Sequence, residues 1–327
     1  MHDYQANEAR YAEMLYRPCG RSGLKLSAIG LGLWQGFGEE SGHDACFARV
    51  STAFDLGITH FDLADNYGPP PGAAERVFGQ VLAREFNAYR DELVITTKAG
   101  HEMWPGPYGD WGSRKHLVAS LDQSLLRLRL NYVDIFYHHR PDPHTPLEET
   151  AGALAAIVTQ GKALYIGLSK YPADRLKEML ALLAVRGVPC VVQQVRYNLI
   201  DRAEVENEQL PIAETEGLGT VSFSPLAQGV LTNKYAQGIP TDSRAGGGTP
   251  FIKRYLQKSF LDYTERLARV AQARGQTPAQ TALAWVLHNT GVTSAVIGAS
   301  RKEQIHENVA ALKHLTFDPA ELEALSL

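Results

Sequence analysis

Eight short apolar runs, most of them separated by about 30 residues, constrain this chain more than any other feature. They are SAIGLGLW (27–34), ITHFDLA (58–64), LVITTKA (93–99), VDIFYHH (133–139), ALYIGLS (163–169), VVQQVRY (191–197), GTVSFSPL (219–226) and TSAVIGAS (293–300). Between them lie segments with helical spacing, such as HLVASLDQSLLRL (116–128), LEETAGALAAIV (147–158), ADRLKEMLALLAV (173–185) and TERLARVAQARG (264–275). Each interval has the length of one βαβ unit except the last, which holds a Gly/Pro-rich loop (238–250) and two helical patterns. Eight such units in 327 residues predict an α/β fold, a closed (β/α)8 TIM barrel spanning 1–327 as one domain. A doubly wound open sheet is the competing arrangement. Ahead of the first run, LYRPCGRSGLKLS (15–27) sets a Gly-Arg-Ser-Gly turn between apolar flanks and predicts an N-terminal β-hairpin plugging the bottom of the barrel.

The bulk numbers remove several partner classes. Thirty-two Lys and Arg against 36 Asp and Glu leave a formal charge of −4, which gives no footprint for a nucleic acid. The apolar runs fall far short of the roughly 20 residues that span a bilayer, so no membrane segment is expected. The polar start MHDYQANEARYAEMLYRPCG carries no apolar secretory core. Cys19, Cys46 and Cys190 lie far apart and read as free thiols of a reducing compartment, so a cytoplasmic protein is expected.

A parallel barrel acts at the C-terminal ends of its strands, so the residues there matter most. Asp62 sits late in the second run, Lys98 late in the third, His139 at the end of the fourth, and Tyr67 in the loop after the second. Alone, each has an ordinary use as a cap, a solvated cation, a core imidazole or a packing ring. Together on one rim they form a proton-handling group. An adjacent ammonium favours a phenolate, so Lys98 is expected to lower the pKa of Tyr67 and make it a general acid/base. Asp62 would keep a buried Lys98 charged. His139 would orient a carbonyl oxygen beside the phenol. Such a group protonates a C=O, and since no side chain supplies the accompanying hydride, a nicotinamide cofactor is implied.

Two other motifs lead elsewhere. GLGLWQGFG (30–38) has the spacing G-x-G-x-x-x-G, no helix opens from it directly, and Asp55 lies in a helical pattern, so it reads as the first strand and its loop. Trp104, Pro105, Pro107, Tyr108 and Trp111 form an aromatic loop that would wall a substrate pocket, with Arg114 or Arg140 near enough to meet a substrate phosphate. His43, His101, His116 and His144 show no metal-ligand spacing. Asp65 lies in a loop and is expected to be a cap or surface residue.

GLGLW, FDLADNYG (61–68), ITTKAG (95–100), YVDIFYHHRPD (132–142), IGLSKY (166–171), QQVRYN (193–198), SFSPLAQGVLTNKY (222–235) and GASRKEQIHENVAAL (298–312) stand in an order that resembles the aldo-keto reductases across nearly the whole chain. The resemblance implies a (β/α)8 barrel that binds NADPH without a Rossmann unit, with a catalytic tetrad on Asp62, Tyr67, Lys98 and His139. His138 is adjacent, but the family ends this strand with His before Arg-Pro or Trp-Pro, which selects His139, and strand alternation lets only one of the two face the barrel axis. DNYGPPPG (65–72) and MWPGPYGDWGSRKH (103–116) are similar to the bacterial L-glyceraldehyde 3-phosphate reductase branch, itself related to potassium-channel β-subunits. That branch implies reduction of small aldehydes or ketones of the L-glyceraldehyde 3-phosphate and methylglyoxal type, by a homo-oligomer, tetramer or octamer.

By the same resemblance, Trp34 walls the nicotinamide end, Ser169 and Gln194 bond its carboxamide, and Tyr197 places a ring against it. Ser224, Leu226, Gln228 and Gly229 line the pyrophosphate path, with Lys234 and Arg244 as a cationic clamp. Gly298, Ser300, Arg301, Gln304, Glu307 and Asn308 grip the adenosine end, where the helix opened by Arg301 offers backbone N–H groups to phosphate oxygens. Lys234, Arg244 and Arg301 would also neutralise the 2′-phosphate of NADP. Lys170 stands where the family commonly has Asn, so no cofactor contact is assigned to it.

Two further readings compete. A cofactor-binding regulatory or scaffold subunit, like a channel β-subunit, would need the same fold. A barrel aldolase would need Lys98 neutral as a Schiff-base amine, which Asp62 beside it opposes.

Overall fold

The computed structural model describes residues 4–188, 190–235, 246, 250–255 and 258–326. The expected hairpin forms as β1 (Tyr16–Pro18) and β2 (Lys25–Ser27), paired antiparallel. The eight apolar runs become β3 (Ile29–Gly32), β4 (His60–Asp62), β5 (Val94–Ala99), β6 (Val133–His138), β7 (Ala163–Ser169), β8 (Cys190–Arg196), β9 (Gly219–Phe223) and β10 (Ser294–Ile297). All pair in parallel, and β10 returns to β3 to close the barrel. The helices between them are α1 (Gly42–Asp55), α2 (Ala73–Val81), α3 (Arg114–Leu128), α4 (Leu147–Thr159), α5 (Ala173–Val185), α6 (Leu210–Glu216), α7 (Lys258–Ala273) and α8 (Pro278–His288), followed by α9 (Lys302–Val309) and α10 (Pro319–Ala324). This is the (β/α)8 barrel, and none of its described helices is long and apolar enough to cross a membrane.

Strand alternation divides the buried side chains into two cores. Outward residues such as Phe61, Ile95, Phe136 and Ile166 join the helix faces in the larger core. α4 shows how the sequence arranges this: Leu147, Ala151, Leu154 and Ile157 recur at helical spacing and are buried, while Glu148 and Glu149 sit in the first turn, where the helix dipole favours negative charge. Inward residues Ile135, Tyr137, Val192, Val221 and Val296 form the smaller core inside the barrel.

The hairpin completes that inner core from the N-terminal end. Cys19 and Leu26 are fully buried in it, and the Cys19 thiol donates to the Val191 carbonyl at 3.4 Å near the start of β8. Two inward glycines make room for large neighbours. A Cβ on Gly167 would lie 2.3 Å from the Tyr137 ring, and one on Gly30 would lie 2.7 Å from His60 Nδ1. The glycine of GLGLW at position 30 therefore serves barrel packing, in keeping with its reading as strand rather than as a dinucleotide loop.

Candidate active site at the barrel mouth

β4 and β5 are neighbours, and alternation points Asp62 and Lys98 inward near their C-terminal ends. Lys98 is fully buried; its Nζ lies 2.6 Å from Asp62 Oδ2 and donates to the Leu63 carbonyl at 2.6 Å. The other carboxylate oxygen, Asp62 Oδ1, accepts from Thr96 Oγ1 at 2.8 Å and from Gln194 Nε2, across the barrel, at 2.9 Å. Burial pushes the Lys98 ammonium below the usual lysine range, and its charge and hydrogen-bond contacts with Asp62 oppose that. The ion pair is what lets a charged lysine stay in the barrel wall.

The loop after β4 lays the Tyr67 ring over this pair, with Lys98 Nζ 5.1 Å from the ring centre. Trp34 lies 6.2 Å to one side, ring to ring, and His139 6.0 Å to another. Tyr67 keeps part of its surface open to the mouth, but its enclosure dominates its titration. Burial first, then Asp62 and Asp65, hold the phenol well above the ordinary tyrosine range. The structure therefore corrects the expectation that Lys98 lowers this pKa: the phenol is kept protonated, the form that donates.

His138 and His139 face opposite ways. His138 Nδ1 pairs with the Tyr171 hydroxyl at 2.6 Å, behind the barrel wall. His139 faces the mouth; its backbone N–H donates to the Ala99 carbonyl at 2.9 Å, its ring meets His101 edge to face at 4.5 Å, and its buried Nδ1 has no hydrogen-bond partner among the described residues. Burial, then Lys170 and Lys98, hold its imidazole well below the ordinary histidine range and so neutral. A neutral imidazole has one N–H to give a carbonyl oxygen.

Ser169, the last residue of β7, is the register partner of Gln194 in β8. Ser169 Oγ is fully enclosed and unpartnered among the described residues, an arrangement that a bound carboxamide would satisfy. From β9 the chain continues through Ser224, Leu226, Gln228 and Gly229 with left-handed backbone at Ser224, Ala227 and Gln228 (φ 53°, 46° and 60°). Asn198 Nδ2 clamps that loop through the Ser224 carbonyl at 3.0 Å, and Gln228 Nε2 donates to Ser224 Oγ at 2.9 Å. Strain of this kind persists where the surroundings hold a loop for a purpose.

Past β10, Gly298, Ser300 and Arg301 are exposed and Asn308 is buried. Gln304 Oε1 accepts from the backbone N–H groups of Ser300 at 2.8 Å and Arg301 at 3.3 Å, so a phosphate at the start of α9 would replace a side-chain cap. Glu307 gives its carbonyl to Gln280 Nε2 at 3.1 Å. Lys234 is exposed, and Arg244 lies outside the described residues.

Two further expectations change, and one alternative narrows. Tyr197 is not at the mouth: its ring packs on Trp285 at 5.2 Å and its hydroxyl donates to Glu206 at 2.8 Å, because it falls on the outward phase just past β8. The ring that does stand at the mouth is Phe223, the inward residue ending β9, which counting alternate residues along GTVSF would have found. Asp65 is fully buried rather than a surface cap; burial first, then Glu75, raises its carboxyl well above the usual range. Arg114 opens α3, with its guanidinium 2.7 Å from where a Cβ on Gly152 of α4 would lie, whereas Arg140 bonds the Gly100 carbonyl at 2.6 Å beside the site.

Over residues 28–326 the chain matches the aldo/keto reductase family. It is 53% identical over 324 residues to the L-glyceraldehyde 3-phosphate reductase of Escherichia coli (strain K12), covering 97% of this chain and 93% of that protein. It is also 39% identical over 307 residues to a probable voltage-gated potassium channel subunit beta of Oryza sativa subsp. japonica, covering 91% of each chain. The corresponding Arabidopsis thaliana protein is 38% identical over 307 residues, with the same coverage.

Proposed function

This chain belongs to the aldo/keto reductase family and is an oxidoreductase, and from that premise we propose that it reduces small aldehydes, of the L-glyceraldehyde 3-phosphate and methylglyoxal type, at the expense of NADPH. The observation that carries the reading is the Tyr67 ring set over the buried Asp62–Lys98 pair and beside the His139 imidazole. When bound, the nicotinamide cofactor supplies a hydride to the carbonyl carbon.

The chain's own residues handle the oxygen. His139 gives its ring N–H to the carbonyl oxygen and fixes its direction. Tyr67 then transfers its phenolic proton to that oxygen as negative charge develops on it, a contribution of about 10²–10⁴ in rate. The phenolate left behind lies over the Lys98 ammonium, which Asp62 keeps charged. Ser169 and Gln194 orient the carboxamide, Trp34 and Phe223 enclose the ring, and Arg301 and Lys234 favour the additional phosphate of NADPH over NADH. The buried free thiols of Cys19, Cys46 and Cys190 agree with a cytoplasmic setting. The kinship with the E. coli reductase supports the substrate class.

The test is loss of NADPH absorbance with methylglyoxal and with L-glyceraldehyde 3-phosphate, for the native chain and Tyr67→Phe. Turnover by the native chain and a fall of at least about 10²-fold in the variant, with NADPH still bound, is expected. Equal turnover by both would overturn the role of Tyr67. Tight NADPH binding with no turnover of any aldehyde would favour a regulatory subunit, the role that the names of the rice and Arabidopsis relatives suggest.

A further inference from the structure

Lys170 is the first residue past β7, and Arg196 is the last residue of the neighbouring β8. The Lys170 backbone N–H donates to the Gln194 carbonyl at 3.1 Å, and Lys170 adopts a left-handed conformation (φ 59°), which costs a side-chain-bearing residue energy. Both cations are set against one ring: Lys170 Nζ lies 5.8 Å and Arg196 Cζ 5.6 Å from the centre of Phe223. Arg196 and Phe223 are register partners at the ends of β8 and β9, so the pair sits on the rim itself.

A third cation flanks the same opening. Arg140 follows His139 directly, bonds the Gly100 carbonyl and Asp110 Oδ1 at 2.6 Å each, and stacks 3.7 Å over Trp111. Among the described residues Asp110 partly neutralises Arg140, but no carboxylate pairs with Lys170 or Arg196. Lys170 is exposed at its surface yet crowded by protein. That crowding first, and then Lys98, Arg196 and Arg140, push its ammonium down to about 8, and every charge acting on it is positive. In a chain of net charge −4, this mouth is a local positive field that an anion would relieve.

We propose that Lys170 and Arg196, with Arg140 beside them, anchor the phosphate of a phosphorylated aldehyde whose carbonyl is held at Tyr67 and His139. This rests on the carbonyl-reducing reading above and adds a preference within it. A phosphate monoester carries about −1.5 to −2 at neutral pH and accepts several charge-assisted hydrogen bonds, which suits two adjacent cations better than a carboxylate would. Lys170 fills the position to which the sequence assigned no cofactor contact, and the anchor gives it one with substrate.

The test compares kcat/KM for L-glyceraldehyde 3-phosphate and for unphosphorylated L-glyceraldehyde in the native chain, Lys170→Met, Arg196→Met and the double variant. The preference for the phosphorylated aldehyde is expected to fall about 10–100-fold in the double variant, mostly through KM, as expected for losing a hydrogen bond to a charged group. A calorimetric titration with L-glycerol 3-phosphate, which cannot be reduced, runs in parallel on the same proteins: the native chain binds it, and the double variant binds at least about 10-fold more weakly. An unchanged preference, or glycerol 3-phosphate binding equal in native and double-variant chains, would overturn the anchor while leaving aldehyde reduction intact. If no aldehyde is turned over, the carbonyl reading fails, and the titration still decides the anchor on its own.

Discussion

The Asp62 carboxylate and the Lys98 ammonium meet at 2.6 Å with 4% and 0% of their side-chain surfaces exposed. Removing one partner strands a charge in the barrel wall, at a cost of about 3–5 kcal/mol, whereas removing both exchanges the pair for neutral packing. Asp62→Asn and Lys98→Met are therefore each expected to lower the urea midpoint strongly, and the double variant to recover part of the loss. Costs that simply add in the double variant would show that the two groups do not depend on each other.

Ser169 Oγ is buried and unpartnered among the described residues, so its hydroxyl contributes nothing to the free protein that water would not. Ser169→Ala is expected to leave the melting temperature of the cofactor-free protein unchanged or slightly raised. The same variant should weaken NADPH binding about 3–10-fold, one hydrogen bond's worth, read from the cofactor-induced shift in melting temperature. A drop in the free protein's stability with unaltered cofactor affinity would assign the hydroxyl a structural role instead.

Phe223 and Tyr197 make a matched pair, one ring at the mouth and one behind it. Phe223→Leu should weaken NADPH binding several-fold with little change in unfolding free energy. Tyr197→Phe should do the opposite, losing about 1 kcal/mol with its bond to Glu206 and leaving cofactor affinity alone. Fluorescence titration with NADPH and urea denaturation of both variants separate the two effects; weakened cofactor binding by Tyr197→Phe would return that ring to the site.

Where the sequence spoke through period, it was legible. Eight apolar runs marked eight strands because a barrel strand covered by helices outside and side chains inside must be apolar on both faces. Alternation within a run lets only one of His138 and His139 face the axis, and the resemblance, with His before Arg-Pro, selects His139. The place given to Tyr197 rests on the resemblance and not on phase: Tyr197 lies one residue past β8 on the outward phase, whereas Phe223 is the inward residue that ends β9. Asp65 was illegible for a different reason. The charges that act on it, Glu75 and Arg127, arrive from α2 and α3, and no local pattern announces a neighbour brought in across the fold. The titration of Tyr67 shares that cause: proximity to Lys98 could be guessed from the rim, but the enclosure that outweighs it arises only when Trp34, His139 and the barrel wall assemble around the ring.

His60 gives the acid limit of stability. It is fully buried inside the barrel, with Nδ1 3.2 Å from Ser294 Oγ, and its pKa is lowered to about 4, first by burial, with Asp62 opposing and Lys98 assisting. An unfolded histidine titrates near 6.5. Between those values the unfolded chain takes up a proton that the folded chain refuses, so the stabilisation is complete above about pH 6.5 and is lost as pH falls toward 4. For this one residue the loss is on the order of 3 kcal/mol by pH 4. His101, also lowered to about 4, and His138, to about 3, act in the same direction. Urea denaturation from pH 7 to 4 should show that decline, and His60→Asn, which fits beside Gly30 and retains a polar neighbour for Ser294, should flatten it. An identical slope in the variant would mean that His60 does not set it.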